Sequence, residues 1–458
     1  MKNLEDAVGD LTAIRPKPRQ RFLINQAFAL FWTGQTVSTL GAQVTAFAVP
    51  LLAAITLHAS SFQMGLLRAA EFAPFLVFTL PAGVWADLGI RRWLMIAANL
   101  IRGVFITVVP LAVFLGWMHL SVLYLAMFVM GSLKVVFEMA YQTYIPEIVE
   151  RDKLVNANSK IMMSYALGQS TGPGLGGVMV ELLGAPMAVL ADASTYFLSA
   201  ICLFKIKHQE VRVRRRHENI LQQIAGGFRY VGEERHIRSL LCLVTVNNFF
   251  QNGLMAILVL YATRDLSIRP GVFGITVSVG GIGAVIGAFA AERLGRWFGP
   301  GPFVIWSTVM AAFAAFCFPL VNTGNIAGVI GLAVAYFVLS AGGSAVTVFA
   351  WTIRQTLTPS PLLGRMNGAF RFIVTGIMPF GAFFGGWLGE TMGIRATLVV
   401  CACGLLIASG LSRFSPLQAL KTLSAPGERT ADQSSGCAGP LTAGRKPGSA
   451  KPRSRPVF

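Results

Sequence analysis

The sequence predicts an all-α membrane protein, with twelve transmembrane helices in two parallel six-helix halves. Three observations lead there. Of the 458 residues, 54% are hydrophobic and 13% charged, and the mean hydropathy is +0.62, which is more apolar surface than a soluble core needs. Apolar windows able to cover a hydrocarbon core of about 30 Å recur at 27–55, 62–86, 93–115, 120–143, 161–183, 186–206, 239–261, 271–291, 302–322, 325–352, 366–390 and 394–413. The second six also echo the first. A shift of 209 positions lays Asn158 on Asn367, Gly172 on Gly381, Gly176 and Gly177 on Gly385 and Gly386, Glu181 on Glu390 and Gly184 on Gly393. Both copies cross in the same direction, and parallel six-helix repeats are the mark of one transporter architecture.

The chain opens with a polar arm, 1–26, and the first apolar stretch is too long for a signal-peptide core, so span one reads as a permanent helix. The net charge of +18 raises the possibility of nucleic-acid binding. The location of the charge excludes it. Of the 38 Lys and Arg, 31 fall in the arm, the tail and alternate loops, three (Arg264, Arg269, Arg395) in the opposite loops and four (Arg68, Arg102, Lys134, Arg371) within spans. This bias places both termini in the cytoplasm of a multi-pass protein of the cell inner membrane.

Span one carries a polar stripe, Gln35, Ser38, Thr39 and Gln43, and span seven a cluster, Asn247, Asn248, Gln251 and Asn252. Lipid offers such groups no hydrogen bonds, so they face a cavity or a partner helix. Charges inside spans are rarer and point to function. Arg68 and Glu71 lie three apart in span two, and Lys134 and Glu138 four apart in span four, so each acid has a cation on its own helix. Asp192 in span six either meets Arg102 of span three or serves scaffold packing.

After span two, Asp87 beside Arg91 and Arg92 is a carboxylate at a helix end next to cations, able to lock two helices through charge-assisted bonds. Glu292, Arg293 and Arg296 form the corresponding group in the second half. Span five contains GQSTGPGLGG, with five glycines and a proline in ten residues. In water this composition breaks helices, whereas in lipid small residues four apart let helix backbones approach, so the glycines are expected to form a close seam between the halves. A dinucleotide-binding reading fails, because that turn must follow a strand.

The halves, 27–206 and 239–415, are joined by a basic amphipathic linker, 207–238, expected to lie along the inner membrane face. The tail, 416–458, rich in Ser, Gly, Pro, Lys and Arg, reads as disordered. Six scattered cysteines and five histidines in loops or at span ends make no metal-ligand or nucleophile pattern, and no Walker A motif is present. Neither an enzyme nor a cofactor is expected.

These features together resemble the major facilitator superfamily. GVWADLGIRR is similar to that family's G-x-x-x-D-R-x-G-R-R loop through Gly83, Asp87, Arg91 and Arg92, departing at Leu88 and Ile90. The glycine run is similar to its antiporter signature, G-x-x-x-G-P-x-x-G-G, at Gly168, Gly172, Pro173, Gly176 and Gly177. FWTGQTVSTLGAQ, PEIVERDKLVNANS, DASTYFLSA and GGFRYV, in that order, resemble the branch containing enterobactin exporters and macrolide efflux proteins.

The resemblance implies a monomeric exporter of an amphipathic small molecule, drug-like or siderophore-like, working by alternating access in exchange for protons. It also implies that spans one, four, seven and ten line the cavity. Glu138 is then the first candidate for the coupling proton and Glu71 the reserve. A facilitator-type importer and a non-transporting sensor or scaffold are the alternatives; the glycine signature disfavours the first and the polar stripes the second.

Overall fold

Residues 25–87, 90–207, 220–359 and 362–419 are described in the computed structural model. The arm before Asn25, Leu88, residues 208–219 of the linker and the tail after Ala419 lie outside the described residues, as do the side chains of Asp87 and Arg296.

The N-terminal half contains α1 (Gln26–Leu51), α2 (Ser61–Asp87), α3 (Arg91–Phe114), α4 (Leu120–Ile148), α5 (Leu154–Leu183) and α6 (Ala185–Lys205). A linker helix follows, α7 (Ile220–Glu233). The C-terminal half contains α8 (Arg235–Leu260), α9 (Pro270–Phe298), α10 (Pro300–Leu320), α11 (Ile326–Leu357), α12 (Leu363–Gly376), α13 (Met378–Met392) and α14 (Ile394–Leu411). Ten described helical stretches are long and apolar enough to cross a membrane. The other two crossings are α2 and α5, 27 and 30 residues long. α5 is the more polar of the two, through its Asn, Ser and Gly residues.

Span eleven, expected as one helix over 366–390, is two helices that meet at Ile377. Pro379 follows the break; it lacks an N–H, and its ring opposes the carbonyl four residues earlier.

The 209-residue repeat extends to backbone detail. α1 runs into a π-turn at Leu52–Thr56, and α8 into one at Tyr261–Asp265, the same positions of the repeat. His58 (φ 50°) and Ser267 (φ 52°) follow, then Gly184 (φ 85°) and Gly393 (φ 87°) at the start of each sixth helix. Packing repeats as well. Within the first half α1 lies on α5 and α6, α3 on α4 and α6, and α2 on α4; within the second, α8 lies on α13 and α14, α10 on α11 and α14, and α9 on α11. The halves meet where α5 packs on α9 and α2 on α13.

The halves share a core at one end only. The largest apolar cluster, from Val44 to Leu405, draws on both and lies at the end away from the linker. At the linker end each half keeps its own cluster, Phe28 to Ile206 in one and Val231 to Leu417 in the other. α7 closes the second of these. Tyr230 donates to Leu357 O at 2.8 Å, Phe228 packs edge-on against Phe372, and Gly227 lets the helix approach Arg365 O. A reporter fused at Arg215 or within the tail is expected to read cytoplasmic and one at His119 external; a tail that reads external would remove the twelve-crossing arrangement.

Candidate functional site: cavity, seams and cross-half ion pair

Between the halves lies a cavity of about 130 Å³. Its walls come from α1, α2 and α4 on one side and α8, α9 and α11 on the other, and are mostly apolar, with Phe47, Leu67, Met127 and Phe273 among them. Its polar groups are Arg68, Glu71 and the Tyr336 hydroxyl. Arg68 Nε donates across the halves to Asn252 Oδ1 at 3.2 Å, and its guanidinium lies 5.5 Å from the Phe72 ring centre. Both charges of span two therefore face a shared space with mostly apolar walls, where each interacts more strongly than in bulk water.

The polar stripes are placed differently from each other. In α8, Asn252 reaches Arg68, Asn248 donates to Val374 O of α12 at 3.0 Å, Asn247 bonds back to Leu243 O, and Gln251 is half-buried. In α1, Gln35 donates to Thr39 Oγ1 at 3.4 Å, and Thr39 and Gln43 pack against Gly168 of α5. The α1 part of the cavity wall is instead Ala46, Phe47, Val49 and Pro50. Sequence reasoning passed over these because nothing polar marks them.

The glycine signature, expected as one seam between the halves, has two faces, and only one of them lies between the halves. Gly168, Gly172 and Gly176 receive α1 within the same half, and a Cβ on Gly172 would collide with the Cβ of Gln43. The seam between halves belongs to Pro173, Gly174 and Gly177. A Cβ on Gly177 would stand 2.5 Å from Pro270 O and 2.9 Å from Gly274 Cα, and Gly174 N donates to Ser278 Oγ at 2.8 Å. The second seam is its repeat image: Gly386 meets Gly65, with a Cβ on either 2.7 Å from the other's Cα.

Each seam ends in a carboxylate clasp. Gly271 N, in the first turn of α9, donates to Glu181 Oε2 at 2.9 Å; 209 positions away, Phe62 N, in the first turn of α2, donates to Glu390 Oε2 at 3.2 Å. A carboxylate on the unsatisfied donors at a helix start is stabilising. Glu181→Ala combined with Glu390→Ala is expected to increase maleimide labelling of cysteines placed along the seams severalfold. Unchanged labelling would mean that the clasps do not hold that end shut.

At the linker side of the cavity a further contact crosses the halves. Glu138, eleven residues beyond Met127 on α4 and hence about 16 Å farther along the helix, forms an ion pair with Arg371 of α12. This corrects the expected pairing with Lys134, which is exposed. Arg371 is 233 residues away in sequence, so helix spacing carried no sign of it.

Arg91 forms an ion pair with Glu147 of α4, and Arg92 donates to Leu203 O at 2.9 Å and Phe204 O at 2.7 Å, the closing carbonyls of α6. The arginines after span two thus tie α3 to two neighbours. Gly83 lies in the last turns of α2. In the second half Glu292 and Arg293 are exposed, and Gly295 closes on the Phe349 ring.

A two-fold helical bundle with a cavity between its halves and glycine seams beside it is the build of a membrane transporter of the major facilitator type. Residues 21–434 match the transmembrane secretion effector family, and the chain belongs to it. It is 27% identical to an enterobactin exporter, EntS of Salmonella paratyphi A, over 85% of this chain and 94% of that one. It is 24% identical to the multidrug efflux pump Tap of Mycolicibacterium fortuitum, over 82% and 92%. Among solved structures, a bacterial homologue of the human lysosomal transporter Spinster shares the fold, with a TM-score of 0.69 and 15% identity over 87% of this chain and 98% of that one.

Proposed function

We propose that this transporter exports an amphipathic small molecule, drug-like or siderophore-like, across the bacterial plasma membrane by alternating access in exchange for protons. The observation that carries the reading is the cavity itself, built by both halves, apolar over most of its wall and holding one cation and one carboxylate at Arg68 and Glu71. An amphipathic molecule fits such a lining: its body displaces water from apolar surface, and its polar group meets fixed charge. The efflux relatives support the outward direction.

In this reading the arrangement described is closed at the outer end by the twin seams and faces the cytoplasm at the linker end, with both termini cytoplasmic. Glu138 takes the exchanged proton. Neutralising it removes the ionic link to Arg371, so the proton and the joining of the halves compete for one carboxylate. Glu71, in the cavity wall, is the second candidate. The chain works as a monomer, since the cavity is complete within one copy.

The test is accumulation in inside-out vesicles carrying the full chain, with a catecholate siderophore, a macrolide and a lipophilic fluorescent dye as probes. At least one probe is expected to accumulate when the lumen is acid, and collapse of the pH gradient should stop it. Accumulation that survives that collapse would overturn proton exchange, and failure of all three probes would overturn the substrate class.

A further inference from the structure

The N-terminal half contains a buried polar group that the cavity and seams do not use. Asp192 of α6 is 1% exposed. Thr195 Oγ1 donates to its Oδ1 at 3.0 Å, while Oδ2 has no partner. Thr45 of α1, 4% exposed, faces the same carboxyl, and its hydroxyl completes no well-formed hydrogen bond either. The nearest cation does not neutralise the acid. Arg102 of α3 stacks on Tyr196 with its guanidinium carbon 4.3 Å from the ring centre, donates to Tyr196 Oη at 3.0 Å, and leaves Nε without a partner. Among the described residues no ion pair joins Arg102 to Asp192.

An ionised carboxylate placed this way would sit in a packed core with at most two hydroxyl donors, Thr195 and Thr45, and no direct counter-charge, an arrangement that buried charges avoid. The neutral acid resolves it. Its O–H is a donor, and the one acceptor facing it without a bond is the Thr45 hydroxyl. The other charged or titratable groups here are few: Arg102 from α3 and Tyr196 from α6 itself. α1 offers only Thr45 and the backbone at Gly41, and Glu181 of α5 is engaged with α9.

The repeat supplies an internal control. Moving Thr45, Arg102, Asp192 and Tyr196 by 209 positions gives Leu254, Ala311, Cys401 and Leu405. Leu254 and Cys401 are fully buried and Leu405 is 3% exposed, all within the shared apolar core. The same fold thus packs the same place without charge, and apolar replacement of buried ions is often neutral or stabilising. Packing alone does not call for Asp192.

We infer that Asp192 is a proton-binding site sealed within the N-terminal half, loaded in the conformation described, and that its occupancy is transmitted to α1. Gly41 is where α1 rests on it, since a Cβ there would collide with Asp192 Oδ1 and stand 2.5 Å from Thr195 Oγ1. Thr45 is followed directly by Ala46 and Phe47, which are cavity wall. When the carboxyl releases its proton to water, the carboxylate left behind needs new donors. Water reaches it only if α1 moves off α6, and the cavity wall moves with α1. The site is separate from Glu138 and does not depend on which molecule is exported.

The experiment is infrared difference spectroscopy on the full chain in lipid nanodiscs at neutral pH. Wild type minus Asp192→Asn is expected to show loss of a neutral-carboxyl C=O stretch, which shifts in heavy water and moves to higher frequency in Thr45→Val. Loss of carboxylate bands instead would mean an ionised Asp192 held by water, and would overturn the proposal. Should Asp192→Asn misfold, Thr45→Val reads the same band alone, and an unmoved band there overturns the bond to Thr45. Transmission to α1 is read by labelling a cysteine at Ala46. The labelling rate is expected to rise with pH severalfold more in the wild-type background than with Asp192→Asn, where only the thiol's own ionisation raises it; equal pH dependence in both would overturn the link.

Discussion

Glu138→Gln is expected to abolish probe accumulation driven by a pH gradient in inside-out vesicles, while probe binding persists and loses its pH dependence. Gln keeps the shape of Glu and still accepts a hydrogen bond from Arg371, but it neither titrates nor pairs as an ion. The Glu138 and Arg371 side chains are 24% and 36% exposed. Water therefore screens the pair, and a modest attraction of this kind can form and release in each cycle where a fully buried pair would hold too firmly. Arg371→Gln should lose coupling as well, because the carboxylate then has no cross-half partner to exchange for the proton. If Glu138→Gln accumulates probe normally and Glu71→Gln does not, the coupling site is Glu71. Normal transport by both would place the proton elsewhere in the chain.

Gly177→Leu is expected to leave an inserted protein with almost no transport. At this seam the obstacle to a side chain is backbone, the Pro270 carbonyl and Gly274 Cα, and backbone cannot swing aside as a side chain can. Overpacking of this kind costs about 1–3 kcal/mol, enough to shift a two-state balance roughly 5- to 150-fold. The end away from the linker should stay parted, with cysteines along α9 becoming reactive to maleimide. Gly386→Leu on the image seam should do the same. Gly172→Leu differs in kind: it pushes α1 off α5 inside one half, and its expected defect is in folding. Full transport by Gly177→Leu with unchanged labelling would mean that the seam does not need close approach.

Much of the architecture was legible because the membrane imposes it. A hydrocarbon layer forces long apolar windows, and the parallel repeat brings the seam glycines and the clasp acid Glu181 of one half back in the other as Gly381, Gly385, Gly386 and Glu390. Helix ends were less legible. Hydropathy locates the lipid-covered part, whereas α4 runs on to Ile148 and α5 starts at Leu154, beyond the windows that ended at 143 and began at 161.

Contacts across the halves were the least legible part of the site. The partner of Glu138 lies on another helix of the other half, and a partner set by three-dimensional closure leaves no local spacing. The stripe of α1 left its partner open for a related reason, since polar residues in lipid must face protein but periodicity does not say which protein surface. Gln43 faces α5.

The Gly177–Gly274 crossing also acts as a fulcrum. From it α5 extends 23 residues toward the linker end and only six toward the other, lever arms of about 35 Å and 9 Å at 1.5 Å per residue. A given rotation of one half therefore displaces the linker end about four times as far as the opposite end. A few degrees admit a bulky molecule on the linker side while the short arm barely disturbs the glycine contact. Release on the other side is not available by the same motion, because there the fulcrum itself must come apart.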